Sequence, residues 1–405
     1  MKIGIIREGK VPPDFRVPLT PKQCKAIQTL YPQVEVYVQK SSIRVFKDEE
    51  YAALGIKLVD DLTACDIIFG VKEVPVDMLI PNKTYVFFSH TIKKQAHNQK
   101  LLRAILDKKI RLIDYEVIKD KNGKRLIGFG RYAGIVGCYN SFYTWGLKTS
   151  TFDLKPAHQC LDRKEVEQEL KKIILPENFR MVLTGFGRVG NGAREIMSLL
   201  PIKEVSPEEY LAKVFNEPVF THLDTEDYYK RKDGKEFLKQ DFYTQPELYT
   251  SNFAQYAFNS DMYIPCHFWN SKSPFILTRE TLLSKENRIK VVGDISCDVN
   301  EPIASTIRPS KIGNPIYGYD PINHSEINFL QENAIAVMAI DNLPCELPKD
   351  ASEDFGNELV KHVIPKILGD DHDHIIERAT QTSFSGELMP SFKYLDDYAN
   401  GTLVF

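Results

Sequence analysis

Two residues able to exchange protons near neutral pH stand directly behind apolar runs. Lys72, with Glu73 beside it, follows IIFGV, and His90 follows YVFFS. Histidine titrates there unaided, and a lysine does so once desolvation or a neighbouring cation lowers its pKa. A third apolar run, IRLI, is followed by Asp114 and Glu116, and the first, KIGII, by Arg7 and Glu8. Taken singly, each of these is an ordinary solvated strand end. Together, a lysine, a histidine and several carboxylates at successive strand ends have the make-up of a proton-transfer site. Arg16 in DFRVPLTP and Arg131 in GFGRYAG add guanidinium forks of the kind that bind substrate carboxylates, although each is as readily a surface arginine.

A second cluster suits a nucleotide. Gly185, Gly187 and Gly190 form G-x-G-x-x-G after the run FRMVLT and before a helical pattern. In that context one glycine permits the tight turn, one lets backbone approach a pyrophosphate and one lets helix pack on strand. The helix N-terminus then offers unpaired N–H groups to the phosphates. Gly185, Gly187, Arg188, Val189 and Gly190 are therefore the cofactor-binding candidates. The acid expected about twenty residues on, for a ribose hydroxyl, is assigned to Glu204 in LPIKEVS. That favours NAD, while Arg188 suits a phosphate and leaves NADP open.

These groups need elements to bring them together. Apolar runs at 2–6, 34–38, 67–71, 85–88 and 110–113 are near-continuous rather than alternating, which predicts a parallel sheet covered on both faces. A helix opens at Thr20, with Pro21 in its first position, and a second is carried by QAHNQKLLRAIL. In open α/β sheets ligands sit at the carboxyl ends of the strands, where all the candidates named above fall. A second α/β unit begins at about residue 179, with further runs at 262–265, 289–295 and 335–340. The charged, tyrosine-rich stretch 206–257 lacks a clean period and is read as an insertion over the sheet edge or cleft.

Composition limits the remaining possibilities. The 405 residues suggest two domains, and a net charge of −3 gives no sign of a nucleic-acid surface. No window approaches the roughly eighteen apolar residues of a membrane span, and the apolar run at the N-terminus is too short for a signal peptide. Seven scattered cysteines without a CxxC pair point to free thiols and a cytoplasmic protein. His372 and His374 in GDDHDH are read as part of a solvated acidic loop, with no metal site expected.

The motifs FRVPLTP, GVKEVP, FFSHTIKKQ, DYE, FGRYAG, GFGRVGNGA, GDISCD and IDNLPCELPKDAS occur in this order. In this the chain resembles the NAD-dependent, lysine-forming saccharopine dehydrogenases of the alanine dehydrogenase and transhydrogenase family. The resemblance implies two Rossmann-like domains with parallel sheets flanking an active-site cleft. The first would be discontinuous, 1–136 plus 340–405, and the second, 137–339, would bind the dinucleotide. It further implies that Lys72 and His90 are the acid–base pair and that Arg16 and Arg131 meet substrate carboxylates. Glu73, Glu116 and Lys93 would tune the site, and Asp298 or its neighbour Asp294, with Asp341, would lie along the cofactor.

The activity implied is oxidation of saccharopine to lysine and 2-oxoglutarate with NAD, or the reverse. Expected partners are small amino-acid and keto-acid substrates, in a monomer or small homo-oligomer, with no nucleic acid and no membrane. Two alternatives stay open: an alanine- or opine-type dehydrogenase, and a nucleotide-binding protein without hydride chemistry.

Overall fold

A computed structural model describes residues 1–402. The chain divides into two compact units, Met1–Phe129 with the chain from Pro348 onward, and Gly130–Leu347. The breaks fall near 130 and 348 rather than near 136 and 340. The reason is local. Gly130–Thr149 is one continuous, largely buried helix and cannot be divided at its seventh residue. Gly134 in that helix leaves no room for a Cβ against the carbonyl of Val189, and Gly192 none against that of Arg131. The two helices thus pack backbone against backbone.

The first unit holds six parallel strands: β1 (Lys2–Ile5), β2 (Glu35–Gln39), β3 (Lys57–Val59), β4 (Ile67–Phe69), β5 (Thr84–Phe87) and β6 (Arg111–Asp114). Their order is β3-β2-β1-β4-β5-β6. Every residue of β4 and β5 is buried, as near-continuous apolar runs require when helices cover both faces. The short β3 was not foreseen. The order reverses direction between β1 and β4, so the crevice opens at their carboxyl ends.

Thr20 caps the helix Pro21–Leu30 as expected, in a capping box with Gln23. The second anticipated helix is split into a short 3₁₀ turn and the helix Gln99–Asp107. The returning helix Pro348–His362 closes the unit. Ser352 Oγ accepts the Val17 N–H at 2.9 Å, and Phe355 stacks on Phe129 with centroids 4.3 Å apart.

The second unit contains β7 (Arg180–Thr184), β8 (Lys203–Glu204), β9 (Val219–Leu223), β10 (Tyr229–Arg231), β11 (Tyr249–Ser251), β12 (Met262–Pro265), β13 (Val291–Gly293), β14 (Ile316–Asp320), β15 (Ser325–Ile327) and β16 (Ile335–Met338). Its main sheet runs β15-β14-β16-β13-β12-β7-β9-β8. It is mixed rather than wholly parallel. The four residues between β14 and β15 allow only a hairpin return, and β14 pairs antiparallel to β16.

The stretch 206–257 is not merely an insertion over the sheet. Its β9 lies inside the sheet, paired with β7 over five positions from Arg180↔Val219 to Thr184↔Leu223. Around it Tyr228, Tyr229, Phe242, Tyr249 and Phe253 form a buried aromatic cluster with the β10–β11 hairpin. Aromatic packing of short elements produces burial without the single period of a long helix or strand. No helix among the described residues is long and apolar enough to cross a membrane. None of the seven cysteines, all among the described residues, is joined in a disulfide.

Candidate active site

The first unit gathers Glu8, Lys72, Glu73, His90 and Glu116 at one edge of its parallel sheet, because each follows the carboxyl end of its strand. Lys72 is half-buried. Burial, and then the charges of Arg16 and Lys10, pull its pKa below the usual lysine value, against Glu73 and Asp14. Glu73 is a shared acceptor: Lys10 Nζ donates to Oε2 at 3.0 Å and His90 Nδ1 meets Oε1 at 2.5 Å. Burial pushes the Glu73 carboxyl up, but the His90 hydrogen bond and charge, with the Lys10 contact, hold it well below the carboxylate range. An ionised Glu73 only accepts, so Nδ1 of His90 carries hydrogen and Nε2 is the nitrogen left for proton exchange. His90 adopts the left-handed backbone region, φ +53°, which a non-glycine residue holds only where its surroundings enforce it.

Arg16 is almost wholly buried. Its Nε and Nη2 donate to Asp14 at 3.0 and 2.6 Å, and its guanidinium lies 4.1 Å from the centre of the Phe129 ring. One edge of the expected carboxylate fork is therefore held by a carboxylate of the protein itself. Burial raises the Asp14 pKa, but the charge and hydrogen bonds of Arg16 bring it down to about 2. Lys93 is exposed and reaches Glu116 at 3.3 Å, with Arg125 at 4.0 Å from the same oxygen. The other oxygen of Glu116 is buried without a hydrogen-bond partner among the described residues. Asp114 serves the fold: it accepts from Ser89, from Gln381 at 2.9 Å and from the Glu116 N–H at 2.8 Å.

Two expectations follow from these ion pairs. Asp14→Ala removes the bidentate partner of a buried guanidinium and lowers stability by about 3 kcal/mol, read by urea denaturation. Asp14 and Glu73 both have depressed pKa values. Their contribution to stability is therefore complete above the unfolded carboxylate pKa of about 4 and is lost as pH falls towards 2. Thermal melts should show a steep fall over that window, and Asp14→Ala should flatten it.

In the second unit the three glycines divide their roles as the spacing suggests. Gly185 has φ +93°, and a Cβ there would lie 2.7 Å from the Cys266 carbonyl oxygen. A Cβ on Gly190 would lie 1.8 Å from the Gly185 oxygen, whereas one on Gly187 would meet nothing within 4 Å. Gly187 caps the helix Arg188–Met197, so open space lies at a helix N-terminus, as close approach of a pyrophosphate requires. His222 Nε2 donates to the Gly185 carbonyl at 2.7 Å, and its ring stacks on Phe186. These residues fit a dinucleotide.

Glu204 stands one strand further out than the strand that flanks the turn. It is exposed on the edge strand β8, one strand removed from β7, and pairs with Arg194 at 2.5 Å. The acid at the end of the strand adjoining β7 is Asp224, directly after Leu223, where the Leu223 carbonyl accepts the Gly185 N–H at 3.1 Å. Asp224 was missed because β9, VFTHL, is interrupted by Thr221 and His222 and falls in the stretch read as an insertion.

Arg131 has a partner within its own unit. Its Nε and Nη2 donate to Glu195 at 2.6 and 2.8 Å, and Arg163 joins the same carboxylate at 2.6 Å. It thus braces the helix that follows the glycine turn. Asp294 is fully buried and accepts from Ser296, Cys297 and Thr306, which makes it a loop anchor. Asp298 is partly buried, and burial, then Asp294 and Glu301, push its carboxyl up to about 6. Asp341 is exposed, just beyond β16, the neighbour of β13.

Comparisons with known proteins bear on the fold and on what the chain is similar to. Residues 4–136 match the family "Alanine dehydrogenase/PNT, N-terminal domain". Alpha-aminoadipic semialdehyde synthase, mitochondrial, of Rattus norvegicus is 31% identical over 431 residues, covering 94% of this chain and 46% of that protein. The chain thus spans about half the length of that relative. Saccharopine dehydrogenase [NAD(+), L-lysine-forming] of Emericella nidulans is 26% identical over 381 residues, covering 90% of this chain and 91% of that one. Among solved structures, an L-alanine dehydrogenase superposes with a TM-score of 0.65 at 15% identity, over 98% of this chain and all of the other, which shows a shared fold. The chain is thus similar, over about nine-tenths of both lengths, to a lysine-forming saccharopine dehydrogenase, and its residues 4–136 match the model of the alanine dehydrogenase/PNT N-terminal domain.

Proposed function

We propose that the protein is an NAD-dependent amino-acid oxidoreductase of the saccharopine type, interconverting saccharopine and water with lysine and 2-oxoglutarate. The observation that carries this reading is the grouping of Lys72, Glu73 and His90 at adjacent strand ends, in a chain similar to a lysine-forming saccharopine dehydrogenase over about nine-tenths of both lengths. When bound, the nicotinamide supplies the hydride acceptor for oxidation or the donor for reduction.

The proton steps belong to the protein. Oxidation of the secondary amine gives an imine, which water must attack and which must then release lysine as a protonated amine. At least two proton-exchanging groups are needed, and Lys72, whose pKa burial lowers, and His90, whose Nδ1 is engaged by Glu73 so that Nε2 faces the exchange, would supply them. The unpartnered oxygen of Glu116 suits an ammonium group of the substrate, and Lys93 suits a carboxylate.

Gly185, Gly187 and Gly190 would hold the pyrophosphate, with Arg188 and Val189 opening the helix beneath it, and Asp224 would accept from the adenosine ribose. A carboxylate there repels a 2′-phosphate, so NAD is the cofactor of this reading. Asp224→Ser should lower the NADH-over-NADPH preference in kcat/KM by about 100-fold, since juxtaposed like charges cost several kcal/mol. An unchanged ratio would remove Asp224 from the ribose site.

The reaction itself is tested by NADH oxidation with 2-oxoglutarate and a panel of amines, alongside pyruvate and ammonia. Turnover with 2-oxoglutarate and lysine is expected. Turnover confined to pyruvate and ammonia would replace the saccharopine reading with an alanine dehydrogenase one.

A further inference from the structure

The chain beyond β4 is held differently on its two sides. Towards β5 the backbone continues the ladder: the Gly70 N–H donates to the Val86 carbonyl at 3.0 Å, and the Phe88 N–H donates to the Val71 carbonyl at 3.1 Å. Towards β1 the ladder stops at the Ile6 N–H, which donates to the Phe69 carbonyl at 3.0 Å. The N–H groups of Val71 and Lys72 have no strand left to receive them. Glu8 supplies both acceptors: Oε1 takes the Val71 N–H at 2.7 Å and Oε2 takes the Lys72 N–H at 2.9 Å. The strands do not need this contact, since β1 and β4 already pair from Ile3↔Ile67 to Ile5↔Phe69. What the carboxyl fixes is the short segment from which the Lys72 side chain projects.

We propose that Glu8 is a positioning residue for Lys72, tying the lysine's backbone to the end of β1 so that its amine stays in one place while it exchanges protons with the substrate. The proposal rests on the reading of Lys72 as an acid–base group. Charge supports it. The groups that face Glu8 are Asp14, Arg16, Tyr115 and the backbone of Val71 and Lys72. Burial, and then Asp14, push the Glu8 carboxyl up to about 8, against the two N–H bonds and Arg16. The carboxyl thus keeps both backbone bonds in a setting that disfavours its charge. A fully ionised carboxylate in its place would favour the charged lysine and weaken it as a base.

The test uses the full-length protein, with kcat and kcat/KM measured against pH for wild type, Glu8→Ala, Glu8→Gln and Lys72→Met. NADH affinity and melting temperature are recorded in parallel. Glu8→Ala should lower kcat by about 10- to 100-fold, the scale set by misplacement of a reacting group, and shift the lysine-dependent limb of the pH profile with NADH affinity unchanged. Glu8→Gln should recover part of the loss, because its amide oxygen accepts one of the two N–H groups. Wild-type kcat and pH profile in Glu8→Ala, with Lys72→Met inactive, would overturn the proposal. So would a loss accompanied by a lowered melting temperature and an unshifted limb, which marks a merely structural role. Near-normal turnover in Lys72→Met would instead overturn the underlying reading of the lysine.

Discussion

Replacing Lys72 by Met and His90 by Gln in one protein should lower kcat by about 10³- to 10⁴-fold while NADH affinity stays at the wild-type value. Each positioned acid or base contributes about 10²–10⁴ in rate, and two groups serving one chain of proton transfers are not additive. The combined loss should therefore fall short of the product of the single losses. Met removes the amine of Lys72 and keeps the length of its side chain. Gln in place of His90 can still donate to Glu73, now 2.5 Å from the imidazole, so the carboxylate keeps a partner. The glycine turn belongs to the other unit of the chain, and the close neighbours of Gly185 and Gly190 are residues of that unit. Single-turnover kinetics at saturating NADH, with NADH titrated by its fluorescence, separate the two effects. Turnover within a few-fold of wild type would dismiss the acid–base assignment.

Gly190→Ala should reduce NADH affinity by at least about 100-fold, roughly 3 kcal/mol. The added methyl would lie 1.8 Å from the Gly185 carbonyl oxygen, which already receives His222 at 2.7 Å. Backbone faces backbone at this contact, so the turn has to open, and the melting temperature should fall with the affinity. Gly187→Ala is the informative contrast. Its φ of −76° suits alanine, and the new methyl meets nothing within 4 Å. The variant should melt like wild type yet bind NADH about 10-fold more weakly, since the methyl takes the space through which a pyrophosphate approaches the backbone. Wild-type NADH affinity in Gly190→Ala would show that the turn does not hold the cofactor.

What could be read from the residues, and what could not, has a physical pattern. Lys72, Glu73, His90 and Glu116 were legible because apolar runs mark buried parallel strands, and such strands deliver the residues after them to one edge. The glycine spacing was legible because Gly185 and Gly190 answer local steric demands while Gly187 leaves open space at the helix N-terminus. The partners of Arg16 and Arg131 were not. Asp14 stands two residues from Arg16, but Glu195 stands 64 residues from Arg131, and no spacing rule announces such a pair. Asp224 was hidden by strand order, because β8 comes first in the chain while β9 lies beside β7. The antiparallel β14 and β15 were masked by the assumption of uniform βα alternation. Glu8 was visible at a strand end, but its two bonds to Val71 and Lys72 bridge 63 and 64 residues and depend on the register of β1 against β4.

The claim that Lys72 and His90 serve a saccharopine-type hydride transfer is tested most directly by following the hydride. The protein is incubated with NADH deuterated at the nicotinamide C4, lysine and 2-oxoglutarate, and the products are analysed by mass spectrometry and NMR. The account predicts a single secondary amine joining lysine to the glutarate skeleton, with one deuterium on the glutaryl α-carbon. No deuterated adduct from lysine and 2-oxoglutarate, with deuterium appearing in alanine when pyruvate and ammonia are supplied instead, would contradict it.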